Sequence, residues 1–184
     1  MKKLLFVSAI FCLLAISAFA QDKKTPDFSG SWELDVSKSK LDERARIESM
    51  TMSVTQTEKD IKIETTMKRA EGGGGGGGGM NRGGGGMGGF GGGNGTTTYT
   101  LDGKETKITQ DSPMGAIPVS LKAKFDSDKL KLNQTRTINT QMGEISITTK
   151  ETWSLSADGK TLTVKRETET PRGAQTSEMV FAKK

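Results

Sequence analysis

Apolar and polar residues alternate along most of this chain, with the period of two that is typical of β-strands buried on one face. The alternation is clearest from Ile117 to Phe125, where every second residue is apolar. Ten such segments follow one another, and the only helix predicted is a turn or two within Ser37 to Arg46. The predicted strands are 28–36, 47–57, 60–69, 96–101, 104–110, 116–126, 129–138, 144–155, 160–169 and 175–183. One face of the first carries Phe28, Trp32, Leu34 and Val36.

Two Asp-Gly dipeptides predict tight turns between neighbouring strands. Asp102-Gly103 and Asp158-Gly159 are typical of two-residue type I′ hairpins, because both central positions of that turn need a positive φ. A turn at Asp158-Gly159 places Glu151 opposite Arg166 and keeps the apolar residues of both strands in phase. This agreement of phase supports the register.

Two further dipeptides fix the position of an inward-facing arginine. Two-residue turns at Ser127-Asp128 and Gln141-Met142 place Arg136 opposite Val119 on one neighbouring strand and opposite Ile147 on the other. In these registers no carboxylate faces Arg136, although an isolated buried charge costs several kcal/mol.

Strands that are linked by short turns and apolar on one face form an antiparallel meander. Closing a meander into a barrel buries that face and removes both sheet edges. We therefore predict an all-β fold, a single antiparallel up-and-down β-barrel of about eight to ten strands. Two packed sheets are the alternative, but a sandwich usually needs crossover connections, and every predicted link except one is short.

The exception is a glycine-rich segment from Gly72 to Gly95, in which 18 of 24 residues are glycine. Glycine loses the most entropy on ordering and buries no side chain, so we expect this segment to be a disordered loop. Two hypotheses remain for its role: a mobile flap at the barrel entrance, or a neutral insertion.

The N-terminus has the three parts of an export signal. Met1-Lys2-Lys3 is positively charged, Leu4 to Ile16 is apolar, and Ala18-Phe19-Ala20 is typical of a cleavage site. We predict a signal peptide over residues 1–20 and a single mature domain over 21–184, periplasmic or secreted. The apolar run is too short to span a membrane, so no membrane anchor is expected after cleavage.

Composition excludes several kinds of chemistry. The chain has no histidine, and its one cysteine, Cys12, lies in the predicted signal, which rules out Ser-His-Asp and Cys-His catalysis and ordinary zinc sites. Removal of Lys2 and Lys3 leaves 25 Lys+Arg against 22 Asp+Glu, a net charge of +3 with no cluster in the sequence. We expect no enzyme, no cofactor and no nucleic-acid partner.

A short motif on the first strand carries a resemblance. Phe28-Ser29-Gly30-Ser31-Trp32-Glu33-Leu34, the meander and the closing strand Ser177-Glu178-Met179-Val180-Phe181 resemble the calycin group of lipocalin-like and fatty-acid-binding-protein-like barrels. The chain is similar in particular to small exported bacterial lipocalin-like proteins of unassigned role. It lacks a second signature of the Thr-Asp-Tyr type, a clear closing helix, and room for paired lid helices. The resemblance implies a small apolar or amphipathic ligand, and a Trp32 that plugs the closed base.

The predicted inner face is polar at several positions. The strict phase points Gln134, Arg136, Thr149, Glu151, Arg166 and Thr168 inward. Arg136 is either solvated near the mouth or packed over Trp32 as a cation–π contact, or it anchors the anionic head of a ligand with help from Gln134. The candidate ligand-binding residues are Gln134, Arg136, Glu151, Trp153 and Arg166.

Two functions follow from this barrel. The first is a protein that carries or sequesters a small apolar molecule, which is anionic if Arg136 is its anchor. The alternative is an envelope protein-interaction module with a solid core and no small ligand. Few large rings point inward, which favours a cavity over a filled core.

Overall fold

The computed structural model describes residues 25–41, 46–70, 94–112, 115–140 and 143–184. The predicted signal peptide and all but the last two residues of the predicted glycine-rich loop lie outside these ranges. The described chain forms ten β-strands and a 3₁₀ turn, Val36–Lys38, which confirms the all-β prediction. The strands are β1 (Gly30–Leu34), β2 (Ile47–Gln56), β3 (Asp60–Arg69), β4 (Gly95–Thr100), β5 (Glu105–Ser112), β6 (Gly115–Asp126), β7 (Lys129–Thr140), β8 (Gly143–Leu155), β9 (Thr161–Thr170) and β10 (Gly173–Lys183).

All ten strands belong to one antiparallel sheet. Its order is β4-β3-β2-β1-β10-β9-β8-β7-β6-β5, so the first and last strands of the chain pair and close the meander. The sheet ends at β4 and β5, which follow each other in the chain but do not pair. The fold is a nearly closed up-and-down barrel, and the expectation that closure removes both edges is wrong at these two strands.

The predicted registers of the long hairpins are confirmed. Glu151 lies opposite Arg166 on β9, and Arg136 lies opposite Val119 on β6 and opposite Ile147 on β8. Residues that are directly opposite share a face of the sheet, so all five side chains belong to the inner face. The apolar phase fixes this register, because a slip of one residue would turn every apolar side chain outward.

The turns differ from the predicted type. A type I′ turn needs positive φ at both central residues, yet in the Asp158-Gly159 turn only Gly159 has one (φ 67°). There the Gly159 N–H donates to the Ser156 carbonyl at 2.9 Å and closes a wider turn. In the Ser127-Asp128 turn only Ser127 has a positive φ (58°). The number of residues in each turn is still even, so the predicted registers are correct although the predicted turn type was wrong.

The Asp102-Gly103 turn does not make the predicted hairpin. The Gly103 N–H donates to the carbonyl of Ala123 on β6 at 3.1 Å, and β5 then pairs with β6 alone. The chain therefore leaves β4 at this corner, and the barrel is open between β4 and β5. On β5, Ile108 lies opposite buried Val119 but is itself 41% exposed, so solvent reaches this part of the inner wall.

Aromatic packing fills the end of the barrel at the 127–128 and 156–160 turns, which we call the base. The Phe28 ring stacks on Phe125 at 6.4 Å and meets Trp153 edge-on at 5.9 Å between ring centroids. Trp32 is fully buried, and its Nε1 donates to the Phe28 carbonyl at 2.9 Å. This is the position expected of a residue that plugs the base.

The opposite end, near the Thr140–Gly143 pair and the 171–172 turn, is the mouth. Here the inward-facing Ile145, Ile147 and Thr168 are only half-buried, whereas Leu130, Trp153 and Leu162 toward the base are fully buried. Burial therefore falls along the barrel axis from base to mouth, and the polar side chains of the inner wall lie between the two.

The first strand is shorter than predicted. β1 ends at Leu34, and Val36 lies in the 3₁₀ turn, 43% exposed, rather than on the inner face. The Asp35 carboxylate accepts hydrogen bonds from the backbone N–H groups of Ser37 and Lys38, which stops the strand by capping the turn. No helix in the described ranges is long and apolar enough to cross a membrane.

Candidate functional site

Between base and mouth the inner wall becomes polar. Gln134 and Arg136 on β7 and Glu151 on β8 are 4%, 9% and 4% exposed, and Arg166 on β9 is partly buried opposite Glu151. Charged side chains are seldom buried unless they are paired, because removing them from water is costly. The contacts among these groups therefore decide what the site can do.

Glu151 is held at both carboxylate oxygens. Arg166 Nε donates to Oε1 at 2.6 Å, and Trp153 Nε1 donates to Oε2 at 2.8 Å. Burial raises the pKa of Glu151, against the charge of Arg166 and these two hydrogen bonds, which lower it. Because Trp153 also packs on Phe28, the unit ties the polar wall to the aromatic base.

Arg136 interacts with a residue that lies far from it in the sheet order. Tyr99 on β4 is 1% exposed, and burial raises the pKa of its phenol, which the Glu151 carboxylate raises further and the Arg136 and Arg166 charges lower. Burial lowers the pKa of Arg136, and its interaction with Tyr99 opposes that effect. The near closure of the barrel thus brings β4 and the β7–β9 wall to one polar cluster.

The deep interior of the described barrel carries a net positive charge. Arg136 and Arg166 supply two guanidinium groups, and Glu151 supplies the only carboxylate among the described inward-facing positions. Since Glu151 is engaged with Arg166 at 2.6 Å, an anionic group that entered the barrel would meet the field of Arg136. The cluster can therefore hold an anion.

The five predicted site residues fall into two groups. Glu151, Trp153 and Arg166 form one hydrogen-bonded unit, whereas Gln134 and Arg136 lie beside it on β7. Tyr99 was missed as a site residue and expected only as a core ring. Its inward phase on β4 was readable from the sequence, but its meeting with Arg136 depends on barrel closure.

The packing of Arg136 over Trp32 stays a prediction, because the cation found over this ring is a lysine. Lys183, directly opposite Trp32 on β10, places its Nζ over the Trp32 ring at 5.2 Å from the centroid. A cation–π contact therefore does exist at the base, but the last strand supplies it. Arg136 lies nearer the mouth and is available to the polar cluster.

No group of three or more His, Cys, Asp or Glu side chains within the described ranges could hold a metal ion. The polar cluster contains a single carboxylate, and arginine cannot ligate a metal while it carries its proton. Its chemistry is that of anion binding through hydrogen bonds and charge.

Comparison with known proteins finds likenesses among solved structures. No family model and no curated protein matches the chain. Among solved structures, the zebrafish ileal bile acid-binding protein complexed with cholic acid is similar to it, with a TM-score of 0.48 and 13% identity over 85% of this chain and 98% of that one. From its own strand order, antiparallel pairing and closure through β1 and β10, this chain has the fold of a nearly closed up-and-down β-barrel.

Proposed function

We propose that this protein is an exported binding protein, rather than an enzyme, that carries or sequesters a small amphipathic molecule with an anionic group. The observation that carries the proposal is the buried, inward-facing Arg136 beside Tyr99 in an interior with two guanidinium groups and one carboxylate. The ligand's anionic group binds at Arg136, and its apolar part lies along the inner wall.

The charge balance supports an anionic group. A guanidinium group that is removed from water gives up strong hydration, and a charge-assisted hydrogen bond to a carboxylate or similar group offsets that loss. Gln134 lies two residues from Arg136 on the same face, and its amide can donate a second hydrogen bond. The Tyr99 phenol keeps its proton because burial raises its pKa, so it remains a donor.

The apolar wall supports an amphipathic rather than a fully polar ligand. β2 and β3 present buried methionine and isoleucine side chains toward the interior: Met50, Met52, Ile61 and Ile63. Methionine is unbranched and polarizable, so it adapts to ligands of irregular shape. A molecule with one anionic end and an apolar body matches the polar cluster and this wall together.

The first test is identification of what the barrel holds. The protein is expressed in a native-like host, its intact mass is compared with that of a chain starting at Gln21, and an organic extract is analysed by mass spectrometry. A stoichiometric anionic lipid or acid is expected. A stoichiometric neutral ligand would contradict the role of Arg136, and retention of residues 1–20 would contradict export.

The second test is an Arg136→Met variant, with a dansyl-labelled fatty acid and its methyl ester as probes. We expect the acid to bind about tenfold more weakly to the variant, because a hydrogen bond to a charged group contributes about 1.5–3 kcal/mol. Binding of the ester is expected to be unchanged. Stability should change little, since an apolar side chain of similar length replaces a buried charge.

Arg172→Met is the matched control, because Arg172 lies exposed in the turn between β9 and β10. It removes the same charge from the molecule without touching the inner wall. Equal affinity of the acid for wild-type protein and the Arg136→Met variant would overturn the assignment of Arg136.

A further inference from the structure

Four lysines from three neighbouring strands surround an open depression on the outer wall of the barrel. Lys122 and Lys124 lie on β6, Lys131 on β7 and Lys150 on β8, and the depression has a volume of about 410 Å³. These residues occupy the phase opposite to the buried one, and all four are exposed. The four lysine side chains therefore lie on the outer face, although Glu151 of the polar cluster also lines the depression.

The sheet register sets the spacing of these charges. Lys124 is directly opposite Lys131, and Lys122 and Lys150 both lie opposite Asn133, one on each side of β7. Strands lie about 4.8 Å apart, and alternate residues of one strand about 6.8 Å apart. The four amino groups thus stem from positions roughly 5–10 Å from one another.

Carboxylates of the chain offset only part of the repulsion among these lysines. Like charges directly opposite each other on neighbouring strands repel, as Lys124 and Lys131 do here. Lys131 has an ion pair with Asp126 at 2.5 Å, and Lys150 has one with Glu169 at 2.6 Å. Within the described part of the chain, neither Lys122 nor Lys124 forms an ion pair, although Glu105 lies directly opposite Lys122 and the charge of Lys124 lowers the pKa of Asp126.

The depression continues across the barrel. A second one, also about 410 Å³, shares Lys150, Thr152 and Glu167 with the first and extends to β10 and Lys40. Thr176, which lies in the outward phase of β10, lines this part. Together the two form a continuous groove that crosses the strands from β6 to β10, which we call the outer groove.

We propose that the outer groove binds an acidic polysaccharide. Its lysines complement a chain of carboxylate or sulfate groups, and the side chains of Asn133, Thr152 and Thr176 offer hydrogen bonds to sugar hydroxyls. The side chains that line it include no aromatic ring, whereas single-stranded nucleic acids are held by stacking on such rings. A slender chain fits the concave groove, and a flat bilayer does not.

The proposal does not depend on a ligand inside the barrel. Lys122, Lys124 and Lys131 lie within ten residues of the chain, and the pairing of β6, β7 and β8 brings Lys150 to them.

The test compares an oligogalacturonate with a neutral dextran and with inorganic polyphosphate of similar length. Binding is measured by calorimetry at two salt concentrations. The double variant Lys122→Gln/Lys124→Gln is expected to bind the oligogalacturonate about tenfold more weakly and with a smaller salt dependence. The control Lys62→Gln/Lys68→Gln removes two exposed lysines from the outer face of β3 and should change the affinity by less than about twofold.

An Asn133→Ala variant separates sugar recognition from charge. It should weaken binding of the oligogalacturonate and leave binding of polyphosphate unchanged, because only the sugar has hydroxyl groups for the amide. Equal losses in the two lysine variants would overturn the location. Polyphosphate binding as tight as that of the oligogalacturonate would overturn the assignment to a polysaccharide.

Discussion

At the scale of single residues, the two deepest cationic groups have different surroundings. Arg166 Nε lies 2.6 Å from the Glu151 carboxylate, whereas Arg136 interacts electrostatically with the phenol of Tyr99. The difference follows from register: Glu151 is directly opposite Arg166, and the residues directly opposite Arg136 are Val119 and Ile147. Arg166 therefore has a structural role, and Arg136 is the proposed anchor of the ligand.

A Glu151→Gln variant tests the structural role. The amide keeps the shape but loses the charge that Arg166 faces, and a buried ion pair that loses one partner leaves the other uncompensated. We expect a loss of about 2–4 kcal/mol in the free energy of unfolding. Urea denaturation followed by tryptophan fluorescence measures it.

The matched control for this experiment is Glu64→Gln on the outer face of β3. Glu64 pairs with Lys62 at 2.6 Å, but both side chains are about half exposed. An exposed pair contributes little, so the urea midpoint should hardly move. Equal losses of unfolding free energy in the two variants would show that burial does not determine how much the Glu151–Arg166 contact stabilises the protein.

At the scale of elements, the hairpins show that register and turn type are separate properties. The apolar phase of β6 and β7 places Phe125 opposite Leu130, whatever conformation the two linking residues take. To make this turn, Ser127 adopts a φ of 58°, which lies in the left-handed region that favours glycine. The turn was predicted at the right residues, but the backbone within it depends on the twist of the strands.

Replacing Ser127 with glycine should stabilise the protein. Relief of the left-handed strain outweighs the extra entropy of glycine in the unfolded chain, and we expect a gain of about 0.5 kcal/mol. Thermal unfolding by calorimetry measures the shift. Asp128→Gly is the control: Asp128 has no positive φ, so only the entropy cost remains and the melting temperature should fall. A lower melting temperature for Ser127→Gly would contradict the strain argument.

At the scale of the whole molecule, barrel closure determines which residues of distant strands meet. Tyr99 lies near the β4 edge of the sheet, yet it interacts electrostatically with Arg136, Glu151 and Arg166 on β7, β8 and β9. Only the curvature that pairs β1 with β10 makes this interaction possible. The proposed binding site is thus a product of the closed form.

Alkaline titration of Tyr99 tests closure in solution. It is the only tyrosine of the chain, so the ultraviolet absorbance of phenolate reports on it alone. Burial raises the pKa of Tyr99 above its ordinary 10.0, so the folded state keeps a proton that the unfolded state loses, and stability should fall as the pH rises above about 10. Phenolate should appear together with unfolding, as followed by circular dichroism. Reversible ionisation of Tyr99 near pH 10 in the folded protein would contradict its burial.

Much of the fold was predictable because it depends on contacts between neighbouring strands. All ten strands were predicted within a few residues, and so were the pairs Glu151–Arg166 and Arg136–Val119. The error at Val36 has a local cause, since the Asp35 cap ends β1 two residues early. The error at Asp102-Gly103 has no local cause, because this dipeptide is as good a hairpin signal as Asp158-Gly159.

The sequence by itself determined the period, the registers and the set of side chains that face inward, because each depends on alternation and on the next strand in the chain. Only the tertiary structure decided two other features. These are the opening between β4 and β5 and the electrostatic interaction of Tyr99 with Arg136. Each depends on how the sheet curves and closes, and curvature is a sum over all ten strands that no local pattern encodes.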